Sequence, residues 1–198
     1  SCDSRQFYKE MKIGTAVPED FELSAANHHF IQNRSVFDDY NVGQFERDGI
    51  KKLNKLFTKN AIQIMVGGSG LYVNAILNGL DKFPEVDPSV REQLNLELAE
   101  NGLCSLQKKL KELDAETYKE IAIDNPQRVI RALEITIGSG FPFSTFKNKP
   151  KEIRNFKSIK IGLKADREIL YNRINKRVDI MIKNGLLDEV KNLHKYKY

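Results

Sequence analysis

Arg131 lies in a run, Asn125-Pro126-Gln127-Arg128-Val129-Ile130-Arg131-Ala132-Leu133-Glu134, whose residue types sort by face once it is wound as a helix. At about 100° per residue, Val129, Ile130, Leu133 and Ile137 share one side. Gln127, Arg131 and Glu134 share the other, with Arg128 flanking. Such a face can be a plain solvated surface. It can also be a Gln/Arg rake for phosphates or base edges, because a planar guanidinium fork binds them bidentately. Arg173 and Arg177 stand four apart on another helical run, so both can reach one anion. A diphosphate would suit that clamp. The plainer reading has their stems covering the apolar stripe Leu170, Ile174, Val178 and Met181.

Three further groups carry chemistry-bearing types. Gly67-Gly68-Ser69-Gly70 follows an apolar run directly. Glycine turns of this kind can cradle phosphate, but the Lys-Ser/Thr ending of a phosphate loop is missing and a tight turn is the simpler reading. Asp3 heads Asp3-Ser4-Arg5-Gln6. At the carboxyl end of a core strand its carboxylate could act as a base or hold Mg2+ through water, whereas elsewhere it would simply cap a helix. His28-His29 has neither cysteines nor a helical i, i+4 partner, so buried or hydrogen-bonded histidines are expected there and metal ligation is not.

The elements that must position these groups can be read locally. Ala61-Ile62-Gln63-Ile64-Met65-Val66 is a short apolar run of the kind buried in a parallel sheet, and residues 71–77 then read as a helix stopped at Gly79. Residues 158–163 alternate as a second strand. Residues 43–58 are predicted helical, with Phe45, Ile50, Leu53 and Phe57 inward. Asp87-Pro88 opens a helix that stops at Asn101-Gly102, Leu103, Leu106, Leu110 and Leu113 mark the next, and Asn125-Pro126 starts a third that ends at Gly138-Ser139-Gly140. Residues 141–157 form a basic, proline-containing loop. Asp166 caps a long helix to Lys183, which breaks at Asn184-Gly185 before a final helix. The expected architecture is therefore α/β. It has core segments at 1–84 and 141–198, and a helical insertion at 85–140.

Composition agrees with a folded chain of this size. Of 198 residues, 40% are hydrophobic and 30% charged, which excludes wholesale disorder and low-complexity classes. The 32 Lys and Arg exceed the 27 Asp and Glu, a net +5 that permits an anionic partner without demanding one. Cys2 and Cys104 lie far apart, so neither a disulfide framework nor a zinc pattern is expected, and a reducing compartment fits. No run is long enough to span a membrane, and no secretory leader is expected. Ser1 opens the chain without an initiator methionine, and the ends of a longer protein are expected to be missing.

In order along the chain, several segments resemble the motifs of the tRNA dimethylallyltransferase (tRNA isopentenyltransferase) family. They are Asp3-Ser4-Arg5-Gln6-Phe7-Tyr8, Met11-Lys12-Ile13-Gly14-Thr15-Ala16, His28-His29 and Val66-Gly67-Gly68-Ser69-Gly70-Leu71-Tyr72. The 125–134 run, Arg173-Ile174-Asn175-Lys176-Arg177-Val178-Asp179-Ile180-Met181 and Gly185-Leu186-Leu187-Asp188-Glu189-Val190 complete the set. Each is weak alone; the ordered set is specific. The resemblance covers roughly the middle two thirds of a full member. Asn27 stands where proline is usual. The family's opening strand, its phosphate loop and its last helices have no counterpart in this sequence.

The resemblance implies a P-loop kinase-like parallel sheet, incomplete here, with a helical insertion. The implied reaction moves the dimethylallyl group of dimethylallyl diphosphate to N6 of adenosine 37, beside the tRNA anticodon, with Mg2+ as the ion. It implies Asp3 as general base. It implies tRNA contacts from Asp3, Ser4, Arg5, Gln6, Ser69 and Arg91, and from Gln127, Arg128, Val129, Ile130 and Arg131. It implies Arg173 and Arg177 as diphosphate ligands, and a cytoplasmic monomer. Without the phosphate loop, the 198-residue chain itself is expected not to turn over the diphosphate. Two rivals fit less of the pattern: an isopentenyltransferase of free adenine nucleotides, and a non-catalytic RNA-binding fragment.

Overall fold

The computed structural model describes residues 1–149 and 153–196. Part of the loop expected at 141–157, namely residues 150–152, lies outside them, as do the last two residues of the chain. The chain divides into two compact units. One comprises Ser1–Gly79 with Ile153–Tyr198, the other Leu80–Glu152.

The first unit contains α1 (Asp20–Ala25), α2 (Val42–Phe57), α3 (Gly70–Asn78), α7 (Arg167–Lys183) and α8 (Leu186–His194), while the second contains α4 (Pro88–Leu113), α5 (Ala115–Glu120), α6 (Pro126–Ser139) and a short 3-10 turn, Phe143–Phe146. Local chemistry explains most starts. Asn41 caps α2 by accepting from Gly43 N and Gln44 N while Gln44 reaches back to the Asn41 amide, a reciprocal box. Asp87 accepts from Ser89 N at 2.8 Å, with Pro88 at the first helical position of α4. Asn125 accepts from Gln127 N and Arg128 N ahead of Pro126. Asp166 holds the N-cap position of α7, but its side chain makes no cap bond. Within α4 the break expected at Asn101-Gly102 is a kink: Gly102 takes φ 72°, a conformation costly for any side chain.

The expected parallel sheet is absent from the described residues. Their only β-pairing is a single parallel bridge between Tyr8 and Arg34. Residues 61–66 and 158–163 carry strand-type sequence but form no ladder. Cys2 N donates to Val66 O at 2.6 Å and Ser69 N donates to Cys2 O at 3.4 Å, but these two bonds at one residue do not extend into a ladder. Ile62, Ile64, Ile159, Ile161 and Leu163 are each more than four-fifths exposed. The reason is general. A helix closes its hydrogen bonds within its own segment, whereas a strand needs neighbours from elsewhere in the chain, so an apolar run reports a preference and not a partner. Over half of the chain is helical instead.

Each unit has its own core. In the second, Leu94, Leu106 and Leu110 of α4 meet Val129, Ile130, Ala132 and Leu133 of α6, all essentially unexposed. In the first, Phe7 stacks on Phe45 at 5.2 Å between centroids, and Phe30, Tyr40 and Tyr72 pack edge-on or tilted around them. Aromatic pairs in these geometries add about 0.5–1.5 kcal/mol each beyond the area they bury. Cys2 and Phe7 are both buried in this cluster, so residues 3–6 are pinned at each end by an apolar anchor.

Candidate functional site

Residues 3–6 form a tight turn between those anchors. Asp3 Oδ1 accepts from Arg5 N at 3.0 Å, and Gln6 N donates to Asp3 O at 3.1 Å. That leaves the second carboxylate oxygen of Asp3 without a partner among the described residues, on a half-buried side chain. Arg5 is exposed. Gln6 turns inward, its Nε2 donating to Thr15 O at 3.2 Å and Ala16 O at 3.0 Å.

The glycine turn packs onto this segment. Gly67 has φ 155°, and a side chain there would meet the backbone of Cys2 and Asp3 at 2.3–2.7 Å, so only glycine allows the crossing. Ser69 occupies the N-cap position of α3 yet makes no cap bond. Its hydroxyl instead accepts from Ser4 N at 2.9 Å and lies 3.0 Å from Ser4 Oγ. Asp3, Ser4 and Ser69, singled out separately in the sequence, thus stand together.

The second unit assembles another group. Arg91 of α4 donates through Nη1 to Glu134 Oε2 at 2.9 Å and through Nη2 to Gln127 Oε1 at 3.1 Å. Arg131 donates to the same Glu134 oxygen at 3.0 Å, and its guanidinium lies 5.7 Å from the Phe83 ring centroid. Glu134 is only 8% exposed, so the one carboxylate is shared between two cations in a half-dry setting. Beside it a shallow cavity of about 260 Å³ is lined by Ile121, Asn125, Gln127, Arg128, Arg131, Ala132 and Phe143. Its floor is apolar and its rim carries two guanidiniums. Val129 and Ile130 are fully buried, so the outward side chains of residues 127–131 are Gln127, Arg128 and Arg131. Ile137, expected inward, is 43% exposed, and Ile135 and Thr136 are buried in its stead.

Sequence reasoning missed the part played by Glu134. Its spacing from Arg131 was legible, but the arrival of Arg91 from α4 was not. Arg173 and Arg177 are exposed on α7, and neither forms a hydrogen bond or ion pair among the described residues. His28 Nε2 lies 3.3 Å from Glu22 O. Half-burial, then Lys52, holds His29 below the usual histidine range. No group of three or more His, Cys, Asp or Glu able to hold a metal occurs among the described residues, so these side chains do not by themselves build a Mg2+ cage.

Comparison with known proteins supplies the class. The family model described as IPP transferase matches residues 6–198, and the chain belongs to that family. Named relatives narrow the likeness further. The chain is similar to the tRNA dimethylallyltransferase of Christiangramia forsetii, 60% identical over 197 residues, and to that of Flavobacterium psychrophilum, 57% identical over 203 residues. All of this chain is covered, against 65% and 66% of those relatives, so it spans about two thirds of their length. Among solved structures, it resembles the full-length tRNA isopentenylpyrophosphate transferase of Bacillus halodurans at 32% identity and a TM-score of 0.59, covering 99% of this chain and 61% of that one. It also resembles a eukaryotic dimethylallyltransferase acting on tRNA at 25% identity and a TM-score of 0.75, covering 98% of this chain and 48% of that one.

Proposed function

We propose that this chain serves tRNA prenylation, transferring a dimethylallyl group from dimethylallyl diphosphate to N6 of adenosine 37 in the anticodon loop. The observation that carries this reading is Arg131, which lines an apolar pocket with Arg128 and shares one carboxylate with Arg91. RNA that must expose a base offers that kind of surface a phosphate to bind and an unstacked ring to shelter. In this reading Gln127, Arg128, Arg131 and Arg91 contact the RNA, with Val129 and Ile130 supporting them from the core. Asp3, Ser4, Arg5, Gln6 and Ser69 contact the nucleotide that reacts.

Adenine N6 is a weak nucleophile because its lone pair is delocalised into the ring. The open oxygen of Asp3 takes the N6 proton, a role worth about 10²–10⁴-fold in rate. The departing diphosphate needs positive charge, and the two free guanidiniums of Arg173 and Arg177 supply it. Mg2+ would enter with the diphosphate, since it is commonly held through phosphates with one or two carboxylates at most. The protein acts as a cytoplasmic monomer. No helix among the described residues is long and apolar enough to cross a membrane.

The test is binding of an anticodon stem-loop RNA against the same loop lacking adenosine 37 and against free AMP, followed by product analysis at N6 with dimethylallyl diphosphate in a protein that also carries the family's phosphate loop. Preference for the intact loop supports the reading. Equal affinity for AMP would overturn it in favour of a free-nucleotide substrate.

A further inference from the structure

Glu189 sits in the first turns of α8 and is half-buried. Its carboxylate accepts three consecutive backbone amides from the far end of the chain: Lys12 N at 2.8 Å and Ile13 N at 2.7 Å on Oε2, and Gly14 N at 2.9 Å on Oε1. Three adjacent amides aimed at one point form a concave anion nest, and a carboxylate fills it well. The loop that it grips is otherwise tightly tied. Thr15 Oγ1 donates to Met11 O at 2.5 Å, and Val17 N donates to Lys12 O at 3.1 Å. Ala16 holds φ 46°, a left-handed conformation that persists for alanine only when its surroundings impose it.

The two carbonyls at the end of that loop, Thr15 O and Ala16 O, are the acceptors of Gln6 Nε2. The backbone of Gln6 in turn donates to Asp3 O and accepts from Gln32 N at 2.8 Å. A continuous hydrogen-bonded chain therefore runs from the α8 carboxylate through residues 12–16 to the turn that carries Asp3.

We propose that Glu189 is a positioning residue: it fixes residues 12–16, which fix Gln6, which sets the turn presenting Asp3 and Ser4. Its charge matters because three N–H groups need a full carboxylate. A carboxamide offers one acceptor oxygen and points an NH2 at the remaining donors. The link to substrate binding rests on the tRNA reading above; the link from Glu189 to residues 3–8 does not.

The experiment uses the chain with Glu189→Gln and Gln6→Met, singly and together. Backbone hydrogen exchange is read by segment, and affinity is measured for an anticodon stem-loop RNA. Glu189→Gln should speed exchange at residues 12–14 and at residues 3–8 by about tenfold or more while α2 and α3, which belong to the same unit, keep their protection, which shows that this unit is folded. Gln6→Met should speed exchange at residues 3–8 and leave 12–14 protected. Each single variant should weaken RNA binding by about tenfold, and the double variant by no more, because both break one relay. Opening of 12–14 with 3–8 unchanged would overturn the proposal, and so would RNA losses that multiply in the double variant. If the wild-type chain fails to bind the RNA, the tRNA reading falls and the exchange pattern alone decides the relay.

Discussion

Ser69 gives its hydroxyl to Ser4 and not to the helix that it begins. A serine at an N-cap normally accepts from an amide of its own first turn. Here that oxygen accepts Ser4 N at 2.9 Å, and α3 starts without a side-chain cap. The glycine turn and the Asp3 turn are thereby one structure.

Ser69→Ala should therefore act at a distance. α3 loses no cap, but Ser4 N–H loses its acceptor in a half-buried place, at a cost of about 1 kcal/mol. Exchange at Ser4 should rise while residues 72–76 stay protected, and Ser69→Thr, which keeps a hydroxyl, should restore it. Fraying of α3 with Ser4 unchanged would contradict the relation.

Arg131→Ala tests the second cluster. If its guanidinium meets a phosphate, RNA affinity should fall and the slope of log affinity against log salt should become shallower by about one unit. Arg131 has a side chain 46% exposed, so its ion pair with Glu134 adds little to folding, about 0–1 kcal/mol. The melting temperature should shift only slightly. An unchanged affinity and slope would leave this face as an ordinary solvated salt-bridge network.

Much of the helical framework was legible, because its signals are local. Asp87-Pro88 and Asn125-Pro126 act within their own first turns, and the apolar spacing of Leu106 and Leu110 lies on one face. The expected sheet was the error, because the apolar runs at 61–66 and 158–163 show a strand preference while strand partners are a property of the whole chain, and no strand pairs with them among the described residues. The same limit hid the site's internal wiring. Ser4 and Ser69, or Arg91 and Glu134, meet only after the chain has folded back. Glu134 on the polar side of α6 looked solvated, yet it is buried beneath two arginines that occupy it.

Asp114 governs the acid stability of the second unit. It is 4% exposed, and burial alone would raise its pKa. Four hydrogen bonds outweigh burial: Thr117 N at 3.0 Å, Thr117 Oγ1 at 2.7 Å, Ser144 N at 2.8 Å and Ser144 Oγ at 3.0 Å hold the carboxyl below its usual range. A carboxylate depressed in the folded state stabilises fully above its unfolded pKa of about 3.9, and that contribution is lost as pH falls through the folded value. Asp114→Asn should cost about 2 kcal/mol near pH 7. The gap to wild type should narrow below about pH 4. Thermal melts of both proteins across that range check this, and a gap constant with pH would refute it.

The two thiols should differ sharply. Cys2 is fully buried, and burial raises its pKa to about 11, while Cys104 is exposed. Because the thiolate is the reactive form, an aromatic disulfide reagent at pH 8 should label one thiol quickly and the second only on unfolding. Two fast thiols would mean that residues 1–7 leave the aromatic core readily.

Asp3→Asn bears on the proposed chemistry. The change keeps the shape and the acceptor that Arg5 N uses at 3.0 Å, but it removes the charge and the basic oxygen. If Asp3 takes the N6 proton, single-turnover transfer to tRNA, measured in a protein that also carries the family's phosphate loop, should slow by about 100-fold or more, with tRNA affinity largely kept. If Asp3 instead holds Mg2+ through water, added Mg2+ should partly rescue the variant. If it only closes the turn, both the melting temperature and transfer should stay near normal, because Asn keeps the acceptor that the turn uses. Asp3 has one carboxylate oxygen committed to the turn and one left open, so loss of rate without loss of fold is the expected outcome. Transfer within a few-fold of wild type would remove Asp3 from the chemistry.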